Sequence, residues 1–282
     1  MKSSSKNEQA NRDRAFNDDV SRFQQNIYAT AKGRIRQAVL QADLGFLLEQ
    51  PNLTVLDVGA GIGQVNSEFA RAGHRVVHTD ISAEMVASAQ AFHRDQGLAE
   101  QYEYYACALQ QLSQSLGERQ FDVVLCHAVF EWLEDPLSAL PALIERVKVG
   151  GWLSLMFYNE HAQRMANMVY GNFAYVQAGL KVKKKVRFSP NSPLTPEHVL
   201  SRIQQYPLTL YRHSGVRCFH DYLREPTHQA IYQERRGTTQ LTATGQHLQN
   251  SPELIALELK YRNTEPYRQL GRYQHLLLRR TD

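Results

Sequence analysis

The chain has 282 residues, 43 % of them hydrophobic and 21 % charged, with a formal net charge of +4 at pH 7. That length suits one large domain with insertions, and the composition is globular rather than disordered or fibrous. No apolar run reaches about 18 residues, so no membrane span is expected, and the polar start MKSSSKNEQANRDR lacks the apolar segment of a secretory signal.

Residues 1–15 read as a disordered tail and residues 16–282 as a single domain. Residues 16–50 carry Ile35, Val39, Leu40, Leu44, Leu47 and Leu48 on one helical stripe that Pro51 stops. Thr54–Val58 is a short apolar strand that runs straight into Gly59-Ala60-Gly61-Ile62-Gly63. A helix follows to about Ala72, and Gly73 closes it. His74–Thr79 is the next strand, ending at Asp80; Ser82 then caps a helix that turns Met85, Val86 and Ala89 inward. Tyr102–Cys107 is a third strand, and Phe121–Cys126 a fourth, continuously apolar as a strand buried on both faces should be. The spacing predicts a helix over Pro136–Val147, ended by Gly150-Gly151, and a fifth strand over Trp152–Phe157.

Farther on come a helix, a basic run, a loop with Pro190, Pro193 and Pro196, and a helix opened by Thr195-Pro196. Leu208–His213 and Tyr273–Arg280 read as two later strands, with a helix from Ser251-Pro252-Glu253 between them. Residues 226–250 are polar and turn-rich, a loop. Strands alternating with helices over 53–157 predict an α/β fold, doubly wound on a mostly parallel sheet. The three cysteines, Cys107, Cys126 and Cys218, match neither a zinc spacing nor a redox pair. A cytoplasmic, disulfide-free protein without a metal is expected.

The strongest local signal is the strand that enters the glycine-rich turn. Glycines there let a ligand approach the backbone, because no Cβ intervenes, and ligands of open α/β sheets bind at the carboxyl ends of strands. A dinucleotide fingerprint, G-x-G-x-x-G, would need glycine where Gln64 stands. The spacing is instead D-x-G-x-G-x-G, through Asp57, Gly59, Gly61 and Gly63, and it resembles motif I of class I S-adenosylmethionine-dependent methyltransferases. Asp80, at the end of the second strand, can accept from both ribose hydroxyls of a nucleoside, or can serve as a cap for the helix that follows. Leu109 and Gln110, after the third strand, offer an apolar wall and an amide suited to adenine. His127 ends the fourth strand at the same crevice, as a site residue or as a core histidine bonded to backbone.

Segments outside this common core are more discriminating. They include Asn26-Ile27-Tyr28, Lys32 to Gln37, His127 to Trp132, Leu153 to Asn159, Gly171-Asn172-Phe173 with Tyr175 to Gly179, Phe219 to Glu225, and Glu265-Pro266-Tyr267 with Gly271-Arg272-Tyr273. With them the chain, from about Ser21 to Leu278, resembles the bacterial tRNA 5-carboxymethoxyuridine methyltransferases. The resemblance implies a seven-stranded fold that uses S-adenosylmethionine to methyl-esterify the carboxylate of 5-carboxymethoxyuridine at the tRNA wobble position. It implies a cofactor half at 53–157, a substrate half at 158–282, and cofactor contacts at Arg36, Gly59, Ala60, Asp80, Leu109, Gln110 and His127. Arginine suits the cofactor carboxylate, which it can clamp through two parallel bonds. Ala60 departs from the glycine expected in that loop.

Lys181, Lys183, Lys184, Lys185 and Arg187 place five cations within seven residues. Such runs are commonly solvated loops. Here Tyr170, Phe173 and Tyr175 lie upstream and Phe188 downstream, and aromatics beside cations suit unstacked anticodon bases and their phosphates. The anticodon stem-loop is therefore the expected partner, with Lys183, Lys184, Lys185, Arg187 and Tyr175 in contact with it. Arg224 and Arg272 are candidates to hold the substrate carboxylate, or else form structural salt bridges. No general base is expected, because a carboxylate nucleophile is already ionised near neutral pH. The alternative is a methyltransferase acting on a small carboxylic acid or a quinone precursor, which would not need the basic run.

Overall fold

A computed structural model describes residues 30–180, 193–223 and 252–282. The expected disordered tail, the basic run, Arg224 and the 226–250 loop lie outside the described residues.

Helix α1 (Ala31–Leu48) begins where Thr30 Oγ1 accepts the Gly33 N–H. It buries Ile35, Val39, Leu40, Leu44 and Leu47 on one face, while Leu48 is half-buried. The chain continues through β1 (Thr54–Val58), α2 (Asn66–Arg71), β2 (Arg75–Asp80), α3 (Ala83–Asp95), β3 (Tyr102–Ala106), α4 (Leu112–Leu116), β4 (Phe121–His127), α5 (Leu140–Ile144) and β5 (Val147–Tyr158). Then follow α6 (Glu160–Val169), α7 (Phe173–Gln177), α8 (Pro196–Ile203), β6 (Leu208–Val216), α9 (Pro252–Tyr261) and β7 (Tyr273–Arg280). Among the described residues no helix is long and apolar enough to cross a membrane.

The strands form one seven-stranded sheet in the order β3-β2-β1-β4-β5-β7-β6. β1 to β5 pair in parallel, and β7 runs antiparallel to both β5 and β6. The mostly parallel expectation holds, with β7 as the reversed strand. Alternate residues of the central strands feed two cores. Leu56, Val124 and Leu153 pack with Leu140 of α5 and Val199 of α8. Val55, Val123 and Leu125 pack with Ile35, Val39 and Leu44 of α1 and with Phe69 of α2. Helices on both faces explain why β1 and β4 are mostly apolar, although Asp57 and Asp122 interrupt them and the expected continuous run in β4 is not unbroken. The strand order turns back between β1 and β4, and a crevice opens there at their carboxyl ends.

Three expected boundaries are corrected. The Pro136–Val147 segment is a 3-10 turn at Pro136–Ala139 followed by the short α5. Pro141 lacks an N–H and can sit only in a first helical turn, so α5 starts at Leu140. β5 then begins at Val147, before the glycines rather than after them. Phe121 pairs with Val147 but Val123 with Trp152, so Gly150-Gly151 lies in a bulge inside the strand. Gly150 has φ 76°, and a Cβ on Gly151 would meet the Asp122 carbonyl oxygen at 2.9 Å. β6 also runs on to Val216, past His213, because Ser214 and Gly215 continue the pairing with β7.

Candidate active site

β1 delivers the glycine turn to the crevice. Gly59, Gly61 and Gly63 have φ of 67°, 60° and 76°, which other residues adopt only with strain. A Cβ on Gly59 would lie 2.5 Å from Val129 Cγ2, and one on Gly63 would lie 2.5 Å from His93 Nε2. Ala60 is not among the residues of positive φ, and its N–H donates to the Thr79 carbonyl at 3.0 Å. That backbone accepts a methyl group, which accounts for alanine where glycine was expected.

Asp80 ties this turn to β2. Its Oδ2 accepts the Gly61 N–H and its Oδ1 accepts the Ser82 N–H, both at 2.9 Å. The helix cap is Ser82, whose Oγ accepts the Met85 N–H at 3.2 Å, so Asp80 braces the turn before the helix and is not its cap. A carboxylate has about four acceptor positions, so these two bonds do not exhaust it. Burial pushes the Asp80 carboxyl above its usual range, against the pull of those N–H groups. Asp57, one strand over, accepts from Asn66 Nδ2 at 2.9 Å. Burial raises it to about 7, and the neighbouring Asp80 adds to the rise.

The crevice is a cavity of about 240 Å³. Arg36, Gly59, Ala60, Asp80, Leu109, Gln110 and His127 all line it, so the seven residues carried over from the family share one wall system. Sequence reasoning did not single out Glu131, Trp132, Arg217 and Tyr273, which line it as well. Two of the non-glycine residues of positive φ, Ala128 and Arg217, also sit in this wall, and strained backbone of that kind gathers at functional sites.

His127 is neither free nor bonded to backbone. Its Nε2 and the Ser154 hydroxyl are 2.8 Å apart, and the same hydroxyl is 2.8 Å from His275 Nε2. His275 Nδ1 lies 2.8 Å from Asp43 Oδ2, and Arg262 Nε donates to Asp43 Oδ1 at 3.0 Å. Burial opposes the Asp43 charge, but His275 and Arg262 outweigh it and hold the carboxyl at about 2. Burial holds His127 well below its ordinary pKa, helped by His275 and Arg36, so the ring is neutral near pH 7. Glu131, in the turn after β4, is buried, and its Oε2 has no hydrogen-bond partner among the described residues. Burial raises it to about 8 despite the nearby Arg36, so this carboxyl is mostly neutral at pH 7.

Arg272 does not line the cavity. Its guanidinium lies 4.9 Å from the Tyr158 ring centroid, with Nε 3.4 Å from Asp221 Oδ2, which is the salt-bridge alternative. Tyr175 lies on α7, where its hydroxyl accepts from Gln163 Nε2 at 3.4 Å. Tyr170 and Phe173 are exposed, and the Tyr170 hydroxyl donates to the Asp221 carbonyl. Lys183, Lys184, Lys185, Arg187 and Arg224 lie outside the described residues.

A family profile described as "Methyltransferase domain" matches residues 56–155, the segment from β1 into β5. The Escherichia coli tRNA 5-carboxymethoxyuridine methyltransferase is 40 % identical over 271 residues, covering 95 % of this chain and 97 % of the relative. The ubiquinone biosynthesis O-methyltransferase of Hydrogenovibrio crunogenus is 29 % identical over 165 residues, covering 58 % of this chain and 66 % of that one. Among solved structures, a putative sarcosine dimethylglycine methyltransferase from Galdieria sulphuraria superposes with a TM-score of 0.57 at 14 % identity, over 94 % of this chain and 99 % of that one. The magnesium protoporphyrin IX methyltransferase of Synechocystis, solved with bound S-adenosylmethionine, gives 0.56 at 14 % identity, over 94 % and 93 %. These two share the fold. Identity at the level of the Escherichia coli relative, nearly end to end in both chains, places this chain in the tRNA 5-carboxymethoxyuridine methyltransferase family.

Proposed function

We infer that the protein methyl-esterifies the carboxylate of 5-carboxymethoxyuridine at the wobble position of tRNA, with S-adenosylmethionine as donor. The observation that carries this reading is the 40 % identity spread over 95 % of the chain, well beyond the segment that common methyltransferases share. The ubiquinone relative covers 58 % of the chain, so a quinone substrate leaves much of the chain without a counterpart. A tRNA substrate implies work in the cytoplasm.

The cavity fits the cofactor. Val129 leaves no room for a Cβ at Gly59, so the turn keeps its bare backbone, and Asp80, a buried carboxylate on the same cavity, would offer its remaining acceptor positions to the ribose hydroxyls. Leu109 and Gln110 would flank adenine, Gly59 and Ala60 would lie along the amino-acid part, and Arg36 would meet its carboxylate. His127, held by Ser154, would form a neutral wall beside the reacting groups. When bound, S-adenosylmethionine supplies an electrophilic methyl group on a sulfonium cation.

The protein's own task is alignment. A carboxylate on the base has an unperturbed pKa of about 4 and needs no proton removed before it attacks. Neither His127 nor Glu131 is required as a base. What remains is to orient the carboxylate and to exclude water from the cavity. The exposed Tyr170 and Phe173, beside the Asp221 turn, are stacking platforms for anticodon bases. The lysines at 183–185 and Arg187 are proposed to meet the phosphates of the stem-loop.

Mass spectrometry of tRNA nucleosides from a strain lacking the gene tests this reading. The methyl ester should vanish and the free 5-carboxymethoxyuridine accumulate, with recovery when the gene is restored. Persistence of the ester without the gene would refute the assignment.

A further inference from the structure

We propose that Arg217 reads the substrate, as the guanidinium that binds the carboxylate of the target base. This rests on the function proposed above, which requires a cation for that group. Arg217 immediately follows β6, and its side chain lines the same cavity as His127 and Glu131. Arg272, expected for this role, faces Tyr158 instead.

The backbone is built to aim this side chain. Arg217 has φ 62°, a left-handed conformation that a non-glycine residue adopts only with strain. The surroundings enforce it. Glu258, fully buried on α9, accepts the N–H groups of Cys218, Phe219 and His220 at 2.6, 3.0 and 2.9 Å. The Arg217 carbonyl accepts the Arg272 N–H at 3.3 Å. Three consecutive amides fixed by one carboxylate, just after a strained arginine, make a rigid mount for a side chain that must not wander.

Arg217 shares its ion-pair partner. Arg217 Nη2 donates to Asp221 Oδ2 at 2.8 Å, and Arg272 Nε approaches the same oxygen at 3.4 Å. One carboxylate thus serves two guanidiniums. Burial opposes ionisation of Asp221, yet Arg217, His220 and Arg272 hold its carboxyl well below the usual range, so it stays a single negative charge. Glu131 across the cavity, held up to about 8, does not make up the difference near pH 7. A guanidinium has five N–H donors, and Arg217 Nε is buried without a partner among the described residues. The group lies 5.5 Å from the centroid of the Tyr273 ring, which supports it from one side. An oriented, largely buried cation with a spare buried donor suits an anion, and a planar carboxylate matches the fork through two parallel bonds. Arginine also binds that anion without protonating it, so its nucleophilic oxygen stays available.

The cofactor also carries a carboxylate, and Arg36 and Arg217 both line the cavity. Binding experiments separate the two. Anticodon stem-loops bearing 5-carboxymethoxyuridine or the uncharged 5-methoxyuridine are titrated into wild type and Arg217→Met, with S-adenosylhomocysteine titrated separately. Wild type should prefer the carboxylate RNA by roughly 10- to 100-fold, the range of a charge-assisted hydrogen bond. Arg217→Met should bind both RNAs alike and hold S-adenosylhomocysteine within about twofold of wild type. If Arg217→Met fails to fold because Asp221 has lost its partner, Arg217→Lys keeps the charge without the fork and should retain only part of the preference. Full preference in a folded variant, or a loss confined to S-adenosylhomocysteine, overturns the assignment. Absence of any preference in wild type defeats the substrate reading itself, and the role of Arg217 with it.

Discussion

The cavity wall formed by β1, β2 and β3 is joined mainly through backbone groups, whereas the wall formed by α1, β4, β5 and β7 is joined through side chains. On the first wall Ala60 N–H donates to Thr79, Cys107 N–H donates to the Asp80 carbonyl, and the Asp80 carboxylate takes the Gly61 N–H. On the second, His127, Ser154, His275 and Asp43 follow one another at 2.8 Å steps, and Asp43 to His275 spans 232 residues of chain. Backbone geometry demands particular residue types at fixed spacing, chiefly glycine. Side-chain networks demand only that distant residues arrive together. The first wall should therefore fail locally when altered, and the second should fail globally.

The largest effect is expected at Asp43. It is fully buried and faces His275, Arg262 and Arg212. Removing one partner of such a buried network costs about 3–5 kcal/mol, so Asp43→Ala should lower the midpoint of urea unfolding sharply. A midpoint close to wild type would make the two walls equivalent.

Next comes Gly63→Ala. The residue has φ 76°, and its new Cβ would meet His93, whose ring is stacked 3.9 Å from that of Tyr102 and cannot easily yield. A loss of about 1–3 kcal/mol is expected from backbone strain, together with weaker cofactor binding. Unchanged stability and binding would show that the turn is more plastic than its geometry implies.

Asp80→Ala tests the first wall by function rather than stability. Cofactor binding should weaken by about 1–3 kcal/mol, the range for charge-assisted bonds, as read by calorimetry. Unaltered affinity would remove Asp80 from the site.

The smallest effect concerns pH in the cofactor-free protein. Glu131 and Asp57 are raised to about 8 and about 7 when folded, while unfolded carboxyls titrate near 4. Between pH 7 and pH 8 the folded chain holds more protons than the unfolded chain, so stability should fall as pH rises. The slope is at most about 1.4 kcal/mol per pH unit for each group. Glu131→Gln should flatten it. An equally steep decline in that variant would assign the slope to other groups.

The same contrast explains what could be read in advance. The run Val55 to Gly63 announces a strand, a turn and a ligand loop within nine residues, and the Tyr273–Arg280 strand was legible to the residue. Gly150-Gly151 misled, because paired glycines mark a helix end or a strand bulge equally well until the partner strand is known. Leu208–His213 stopped early because Ser214 and Gly215 look like a turn until β7 covers them. Glu131 was visible inside the family segment His127 to Trp132, but nothing local says that its carboxyl faces the cavity. Arg217 carries no motif. The one available signal was a lone cation just after a late strand, on the edge where such sheets bind ligands.

The nucleophile of this reaction is a carboxylate, already ionised and held by alignment alone. Single-turnover methylation of a 5-carboxymethoxyuridine stem-loop, followed from about pH 5 to pH 9, tests it most directly. The rate should stay flat from about pH 6 to pH 9 and fall only in acid, as the carboxylate protonates. A bell-shaped profile with an essential group near pH 7 would instead place a general base in the chemistry and contradict the account.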